Sequence, residues 1–327
     1  TPIENSLTDL WSLLDFFNPG LLGTLPRFNE VLAEIQKKKD SQALYGPIKK
    51  LISPYILRRL KTDKNVIKDL PDKIEIPFYC HLTPEQAKLY QKVVDDLQKS
   101  LKDLSNNSKS SKERTNIVLQ SITRFKQIIN HPAHLLRDGD WSIERSDKFM
   151  RLAEISQEFA ARQDKVLIFT HFKEIIDPLY EILRDIFGRP GLILHGKTPV
   201  KDRQNIVDEF QKRDGPPFFL LTLRAGGTGL NLTEASQVIH FDRWWNPAVE
   251  NQATDRAYRI GQEKNVLVHK AITLGTLEEK IDNLLRDKKE LAEEVLGSGE
   301  EIKLYRLDDE DLLKLVFLNL DQAVISN

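Results

Sequence analysis

The sequence predicts an α/β fold: a doubly wound parallel sheet carrying helical protrusions, preceded by a largely helical N-terminal segment. The first observation is a change of rhythm near residue 146. Val166–Thr170, Leu192–His195, Phe218–Thr222, Val238–Phe241 and Val266–Ile272 are short apolar runs that read as strands. Ile175–Phe187, Val200–Phe210 and Val249–Ile260 carry helical periodicity between them. Such alternation marks βαβ units around a buried parallel sheet. The second observation is composition. Of the 327 residues 40% are hydrophobic and 30% charged, enough for a real core and for about two domains.

Charge and cysteine usage exclude several classes. Lys+Arg is 48 and Asp+Glu is 49, a net charge of −1, which excludes a globally basic nucleic-acid coat but not a local basic face. Cys80 stands alone, so an internal disulfide is excluded and a zinc knuckle lacks its second thiol; the chain fits a reducing compartment. No run of about 18 apolar residues spans a membrane, and no charged-then-apolar leader opens the chain. Thr1-Pro2-Ile3 reads as the interior of a longer polypeptide.

Leu10, Leu13, Leu14 and Phe17 form a helical stripe that Asn18-Pro19-Gly20 terminates. A basic cluster follows at Lys49, Lys50, Arg58, Arg59, Lys61, Lys64 and Lys68, and Ile74–Tyr79 reads as a short strand. Thr83-Pro84-Glu85-Gln86 is a capping box that opens a helix with Leu89, Val93, Leu97, Leu101 and Leu104 on one face. Ser105–Lys112 is a polar loop, and helix resumes over Ile117–Leu136 with a break at His131-Pro132. Thr276-Leu277-Glu278-Glu279 opens another helix, whose inner face is Leu277, Ile281, Leu284 and Leu285. An acidic tail ends in an apolar stretch at Leu312–Leu320.

Ligands of such sheets bind beyond the carboxyl ends of the strands. Gly191–Thr198 matches the phosphate-loop pattern G-x-x-x-x-G-K-[ST] letter for letter. Its context is wrong. Leu192–His195 is itself strand-like, and Thr198 precedes Pro199, which suits an N-cap rather than a first helical turn. Asp242 is the nearest candidate partner for magnesium, and Arg243 follows it at once. Thr222–Leu232 is a loop with Gly226, Gly227 and Gly229, either an ordinary turn or a nest of amides for an anion. Gln252, Asp255, Arg256 and Arg259 share one face if the segment is helical, opposite a core stripe of Val249, Ala253, Ala257 and Ile260. Two arginines a turn apart suit a polyphosphate; the alternative is a solvated face of ion pairs.

Taken together, the glycine loop, Trp244-Trp245-Asn246-Pro247 and the Gln252–Gln262 run resemble the C-terminal motor lobe of the SWI/SNF-like family of helicase-superfamily DNA-dependent ATPases. Thr1–Trp11 resembles the end of that family's third motif and Val166–Phe172 its fourth. Ile56–Lys61 and Leu70–Lys73 resemble the segment leaving the first lobe, and His195–Thr198 a histidine-glycine element that explains the phosphate-loop look-alike. The resemblance implies a RecA-like fold. Residues 1–82 would be a first-lobe remnant and linker, 83–145 a helical protrusion, 146–275 the second lobe, and 276–327 a bracing helix and tail. It implies an ATPase that translocates on or remodels double-stranded DNA, with ATP and Mg2+ bound mainly by an N-terminal lobe that this chain lacks, so the chain alone would not turn over ATP. Arg259 is the first choice of arginine finger, with Arg256 beside it; Gly227, Gly229 and Gln252 would complete the nucleotide side. No metal ligand is expected here.

DNA contacts are expected from Thr170, His171, Lys173, Gly196, Lys197, Thr198, Arg224 and Trp245. Arg58 and Arg59 would bind DNA or brace the joint between lobes. A DNA-bound protein is a further expected partner, and a membrane is not. The lack of long insertions leans toward a prokaryotic relative in cytoplasm or nucleoid, with the nucleus the eukaryotic counterpart. A passive DNA-binding or regulatory module is the alternative reading, and a self-sufficient ATPase using Lys197 ranks last.

Overall fold

A computed structural model of the chain describes residues 7–37, 48, 50–56, 70–106, 111–226, 229–295 and 308–324. The chain divides into two compact units. The first comprises Thr1–Lys68, Trp245–Ala248 and Leu284–Ile302; the second comprises Asp69–Trp244, Val249–Asn283 and Lys303–Asn327.

The first unit contains helices α1 (Leu7–Phe17) and α2 (Leu25–Lys37). Leu10 and Leu14 pack with Phe28, Leu32 and Ile52. The helix stops where Asn18-Pro19-Gly20 predicts: Gly20 takes φ +80°, and its amide donates to Asp15 Oδ1 at 2.9 Å. Half of the expected stripe is buried. Leu13 and Phe17 are exposed, whereas among the described residues α2 and Ile52 pack on the Leu10–Leu14 face. The basic residues Lys49, Arg58, Arg59, Lys61, Lys64 and Lys68 lie outside the described residues.

The second unit is built on a six-stranded sheet of order β1-β6-β5-β2-β4-β3, with every pair parallel. The strands are β1 (Lys73–Cys80), β2 (Val166–Thr170), β3 (Leu192–Leu194), β4 (Phe218–Thr222), β5 (Gln237–His240) and β6 (Val266–Thr273). Every residue of β2 and β4 is buried, as uninterrupted apolar runs require. The Ile74–Tyr79 run, expected in a linker before residue 83, is the core of edge strand β1 and pairs along its length with β6. Pro77 sits on this edge, where a missing amide is tolerated.

Helices α3 (Pro84–Asn106), α4 (Ser111–Asn130) and α5 (Pro132–Leu136) form the helical insertion before β2. The capping box at its start is reciprocal: Thr83 N donates to Gln86 Oε1 at 3.0 Å, and Gln86 N donates to Thr83 Oγ1 at 3.3 Å. Gln86 also donates to the Ile128 carbonyl at 2.6 Å, tying α3 to the end of α4. The break at Pro132 is capped by His131, whose Nδ1 accepts from Ala133 N. Residues 107–110 of the expected polar loop lie outside the described residues.

Helices α6 (Asp147–Arg162), α7 (Ile176–Phe187) and α8 (Val200–Gln211) flank the sheet, and α7 supplies Ile176, Leu179 and Leu183 to its core. The single turn α9 (Leu223–Gly226) follows β4, α10 (Pro247–Thr254) lies between β5 and β6, and α11 (Leu277–Val295) follows β6. The chain then returns as α12 (Asp309–Val316) and α13 (Leu320–Ala323). This tail docks with Leu312, Leu315, Val316 and Leu318 buried. Lys280 Nζ donates to the Lys314 and Phe317 carbonyls at 2.7 and 2.6 Å, and Asn319 N to the Gly275 carbonyl at 3.0 Å. Gly275 is required there: φ is +67°, and a Cβ would lie 2.5 Å from the Asn319 carbonyl.

Two helix first turns are joined at the carboxyl end of the sheet. Lys148 of α6 and Glu278 of α11 form a salt bridge at 2.8 Å, and both side chains are essentially fully buried. Glu278 also accepts from Thr273 N at 3.2 Å. Removing one member strands the other in a low dielectric. We expect Lys148→Met to cost about 3–5 kcal/mol. Lys148→Met with Glu278→Gln should recover part of that loss, read as the urea midpoint of the chain.

Candidate functional site

The glycine loop and the two arginines meet in the structure. Leu232 N donates to the Arg256 carbonyl at 2.9 Å, and Arg259 Nη1 donates to the Leu230 carbonyl at 3.4 Å. Gly229, exposed at φ +59°, turns the chain into this contact. Gly227 lies outside the described residues; Arg224 is on α9. The arginines are not on a helix as their spacing predicted. α10 ends at Thr254, and residues 255–261 form tight turns in which Arg256 N bonds to Ala253 O and Arg259 N to Ala257 O. The cause is tertiary: the Arg256 carbonyl is taken by Leu232 rather than by a helical amide. The expected core stripe shifts accordingly. Glu250, Ala253, Thr254, Ala257 and Tyr258 are buried, and Ile260 is 73% exposed. Gln252 is half-buried on α10. Gln262 locks the end of the segment, donating to the Ala235 and Ala257 carbonyls at 2.9 and 3.1 Å.

Arg256 is half-buried and Arg259 exposed. Burial, then the like charge of Arg259, pull the Arg256 guanidinium below its ordinary value. Two cations held close, beside a backbone turn at glycine, are arranged to receive a multiply charged anion.

A second cluster sits at the carboxyl ends of β2 and β5. Asp242 is fully buried. Its carboxylate accepts from Thr170 Oγ1 at 2.6 Å, His171 N at 2.9 Å and Asn130 Nδ2 at 3.4 Å. Its acceptors are therefore committed to protein donors, which does not fit a magnesium site. Among the described residues no group of three His, Cys, Asp or Glu side chains is placed to hold a metal. Arg243 Nε donates to Glu250 Oε1 at 3.1 Å, and its Nη1 pairs with Asp282. Trp244 N donates to the same Glu250 oxygen at 2.8 Å. Burial pushes the Glu250 carboxyl up, but Arg243 and further cations outweigh it and hold the value down to about 2. Burial likewise opposes the Arg243 charge, and the Glu250 and Asp282 carboxylates raise its guanidinium above the ordinary range. The Trp244 ring stacks on His171 with centroids 3.7 Å apart.

The third loop follows β3. Thr198 does not cap the helix as expected; Pro199 is the N-cap, and Thr198 Oγ1 instead accepts from His195 N at 3.1 Å. Thr198 N returns to the His195 carbonyl at 2.9 Å. The turn thus spends these two amides on itself, the opposite of a phosphate cradle. Gly191 is explained by packing, since a Cβ would lie 2.2 Å from the Phe218 ring. Gly196 and Lys197 are exposed, and so is Lys173. Thr170 is fully buried, whereas His171 and Thr198 are half-buried. Trp245, also half-buried, belongs to the first unit. The residues that sequence reasoning missed are Asn130, Lys126, Lys148, Arg243, Glu250 and Glu278. Their signal is a polar residue on an otherwise apolar face, as with Lys126 among Ile122, Phe125 and Ile129.

His240 is bonded to the last residue of α10. Its Nε2 shares a hydrogen bond with Thr254 Oγ1 at 2.8 Å, its Nδ1 has no partner, and its ring stacks on Phe169. Burial drives this imidazole from 6.5 down to about 4. Between those values the unfolded chain binds a proton that the folded chain refuses, so stability falls as pH drops through that window. The expected loss from this group is about 3 kcal/mol by pH 4. Urea titrations from pH 7 to 4.5 on wild type and His240→Gln should show a flatter slope in the variant.

Comparison with known proteins places this geometry. Residues 1–134 match the SNF2-related domain, and residues 147–261 match the helicase conserved C-terminal domain. The chain is 42% identical over 301 residues to the putative ATP-dependent helicase/translocase YwqA of Bacillus subtilis, covering 91% of this chain and 32% of that protein. The chain spans about a third of the length of the curated relatives it matches. The Sulfolobus solfataricus SWI2/SNF2 ATPase core in complex with dsDNA superposes with a TM-score of 0.65 at 43% identity, covering 98% of this chain and 66% of that one. The C-terminal domain of the Sulfolobus SWI2/SNF2 ATPase gives 0.61 at 40% identity, over 76% of this chain and all of that one. The RecA-like sheet, the glycine loop and the arginine turn therefore belong to a chain of the SWI2/SNF2 family of helicase-type ATPases.

Proposed function

We propose that this chain is the C-terminal half of an ATP-dependent translocase or remodeller acting on double-stranded DNA. The observation that carries the reading is the arginine turn pinned to the glycine loop. Leu232 N on the Arg256 carbonyl fixes the backbone, and the Arg259 side chain, whose Nη1 donates to the Leu230 carbonyl at 3.4 Å, is exposed. Arg259 then acts as the finger that stabilises charge on the transferring phosphoryl group, and Arg256 adds a second positive charge. Gly229, Gly227 and Gln252 border the nucleotide on this side. The phosphate-binding lysine and the Mg2+ carboxylates come from an N-terminal RecA-like lobe. Duplex DNA is held by its phosphates, without readout of sequence, through Lys173, Gly196, Lys197, Thr198 and Arg224, with Trp245 as a further contact. Thr170 serves this face from beneath, by orienting Asp242 under His171.

Two measurements test the reading. ATP hydrolysis by this chain, with and without duplex DNA, should be absent, and Lys197→Ala should change nothing. DNA-stimulated turnover that disappears in Lys197→Ala would overturn the assignment. In the parent polypeptide carrying both lobes, Arg259→Ala should lower turnover by roughly 10³-fold or more. Its affinity for duplex should stay within about threefold, since one arginine on the nucleotide side carries no phosphate contact to DNA. A passive DNA-binding module would bind duplex equally well and show no turnover to lose.

A further inference from the structure

Lys126 is a charged residue where packing alone would select an apolar one. It stands on the buried face of α4, 1% exposed, between Ile122, Phe125 and Ile129. Burying an ammonium is costly unless it is compensated. Burial indeed pulls its charge down, against the Asp242 and Glu278 carboxylates. The neighbouring anions already have other partners: Asp242 holds Thr170 and His171, and Glu278 holds Lys148.

Besides facing these carboxylates, Lys126 reaches the Arg243–Trp244 segment. Its Nζ donates to the Arg243 carbonyl and stands 4.9 Å from the centroid of the Trp244 ring. That carbonyl belongs to the peptide bond leading into Trp244, so one ammonium fixes both the backbone and the ring of the same residue. The ring in turn lies 3.7 Å from His171, nearly parallel at 22°. We propose that Lys126 is a positioning residue, reaching from the helical insertion to lock Trp244 against His171 and so to set the ring pair that faces DNA. The DNA-facing part of this statement rests on the translocase reading; the positioning part does not.

The test labels the chain with 5-fluorotryptophan, with the Trp244 resonance assigned through Trp244→Phe. In Lys126→Met that resonance moves toward the position of exposed tryptophan as the stack opens. The Kd for duplex DNA rises about tenfold, the scale of a desolvated cation–ring contact with its backbone bond. Lys126→Arg, which keeps charge and donors, restores both readouts to within about threefold of wild type. A Trp244 resonance that stays in place in Lys126→Met overturns the proposal, whatever the melting temperature does. Should Lys126→Met not fold, Lys126→Leu also removes both donor and charge with a smaller apolar side chain; an unmoved resonance there also overturns it. A wild-type chain that binds no duplex refutes the translocase reading, while the fluorine resonance still decides the positioning role.

Discussion

The second unit depends on buried charge that must be matched. Lys126, Lys148 and Arg243 lie against Asp242, Glu250, Glu278 and Asp282, and all but Asp282 are at most 3% exposed. These residues come from α4, α6, the loop after β5, α10 and α11, stretches far apart in sequence. In such an environment a pair contributes little net stability, because the desolvation penalty offsets most of the attraction. What it contributes is exclusivity. Any displacement of one element leaves a charge unpaired in a low dielectric, which penalises every arrangement but one. The carboxyl edge of the sheet is therefore held to a single geometry by the cost of its alternatives.

That rigidity is distributed unevenly. Asp242, Trp244 and His171 sit on the locked edge, which under the proposed function would offer a regular phosphate backbone a fixed surface. The arginine turn is fixed differently. Its backbone is held by the Leu232–Arg256 bond and by Gln262, whereas the exposed Arg259 side chain makes a long hydrogen bond, 3.4 Å, to the Leu230 carbonyl. The finger role proposed for Arg259 would draw on this combination: a Cα set in place and a side chain exposed to reach a phosphate.

The sheet was legible because β2 and β4 are continuous apolar runs whose pattern depends on nothing beyond themselves. The Thr83–Gln86 box was legible for the same reason, since both of its hydrogen bonds close within four residues. The end of α10 was not. Nothing in residues 252–260 breaks a helical period; the break comes from Leu232, more than twenty residues away, taking a carbonyl that the helix would have used. The charge lattice was hidden too, because Lys148 and Glu278 are 130 positions apart and each looks like an ordinary surface residue beside its own helix. The glycine loop and the arginines were recognisable as chemistry and were joined by family resemblance; their backbone contact, Leu232 N on the Arg256 carbonyl, was not legible.

The phosphate-loop look-alike shows why spacing alone misleads. A phosphate cradle requires amides with no internal acceptor, so that they remain available to an anion. At His195–Thr198 two amides are consumed within the turn, by the Thr198 hydroxyl and the His195 carbonyl. Gly191 owes its identity to the Phe218 ring rather than to any ligand. The same test applied to Asp242 removes the nearest carboxylate that a magnesium ion would want. The described residues thus offer positive charge on flexible arms and no carboxylate group arranged for a metal. That division is why the proposed function assigns the metal and the phosphate cradle to a second lobe, and leaves the arginines to this chain.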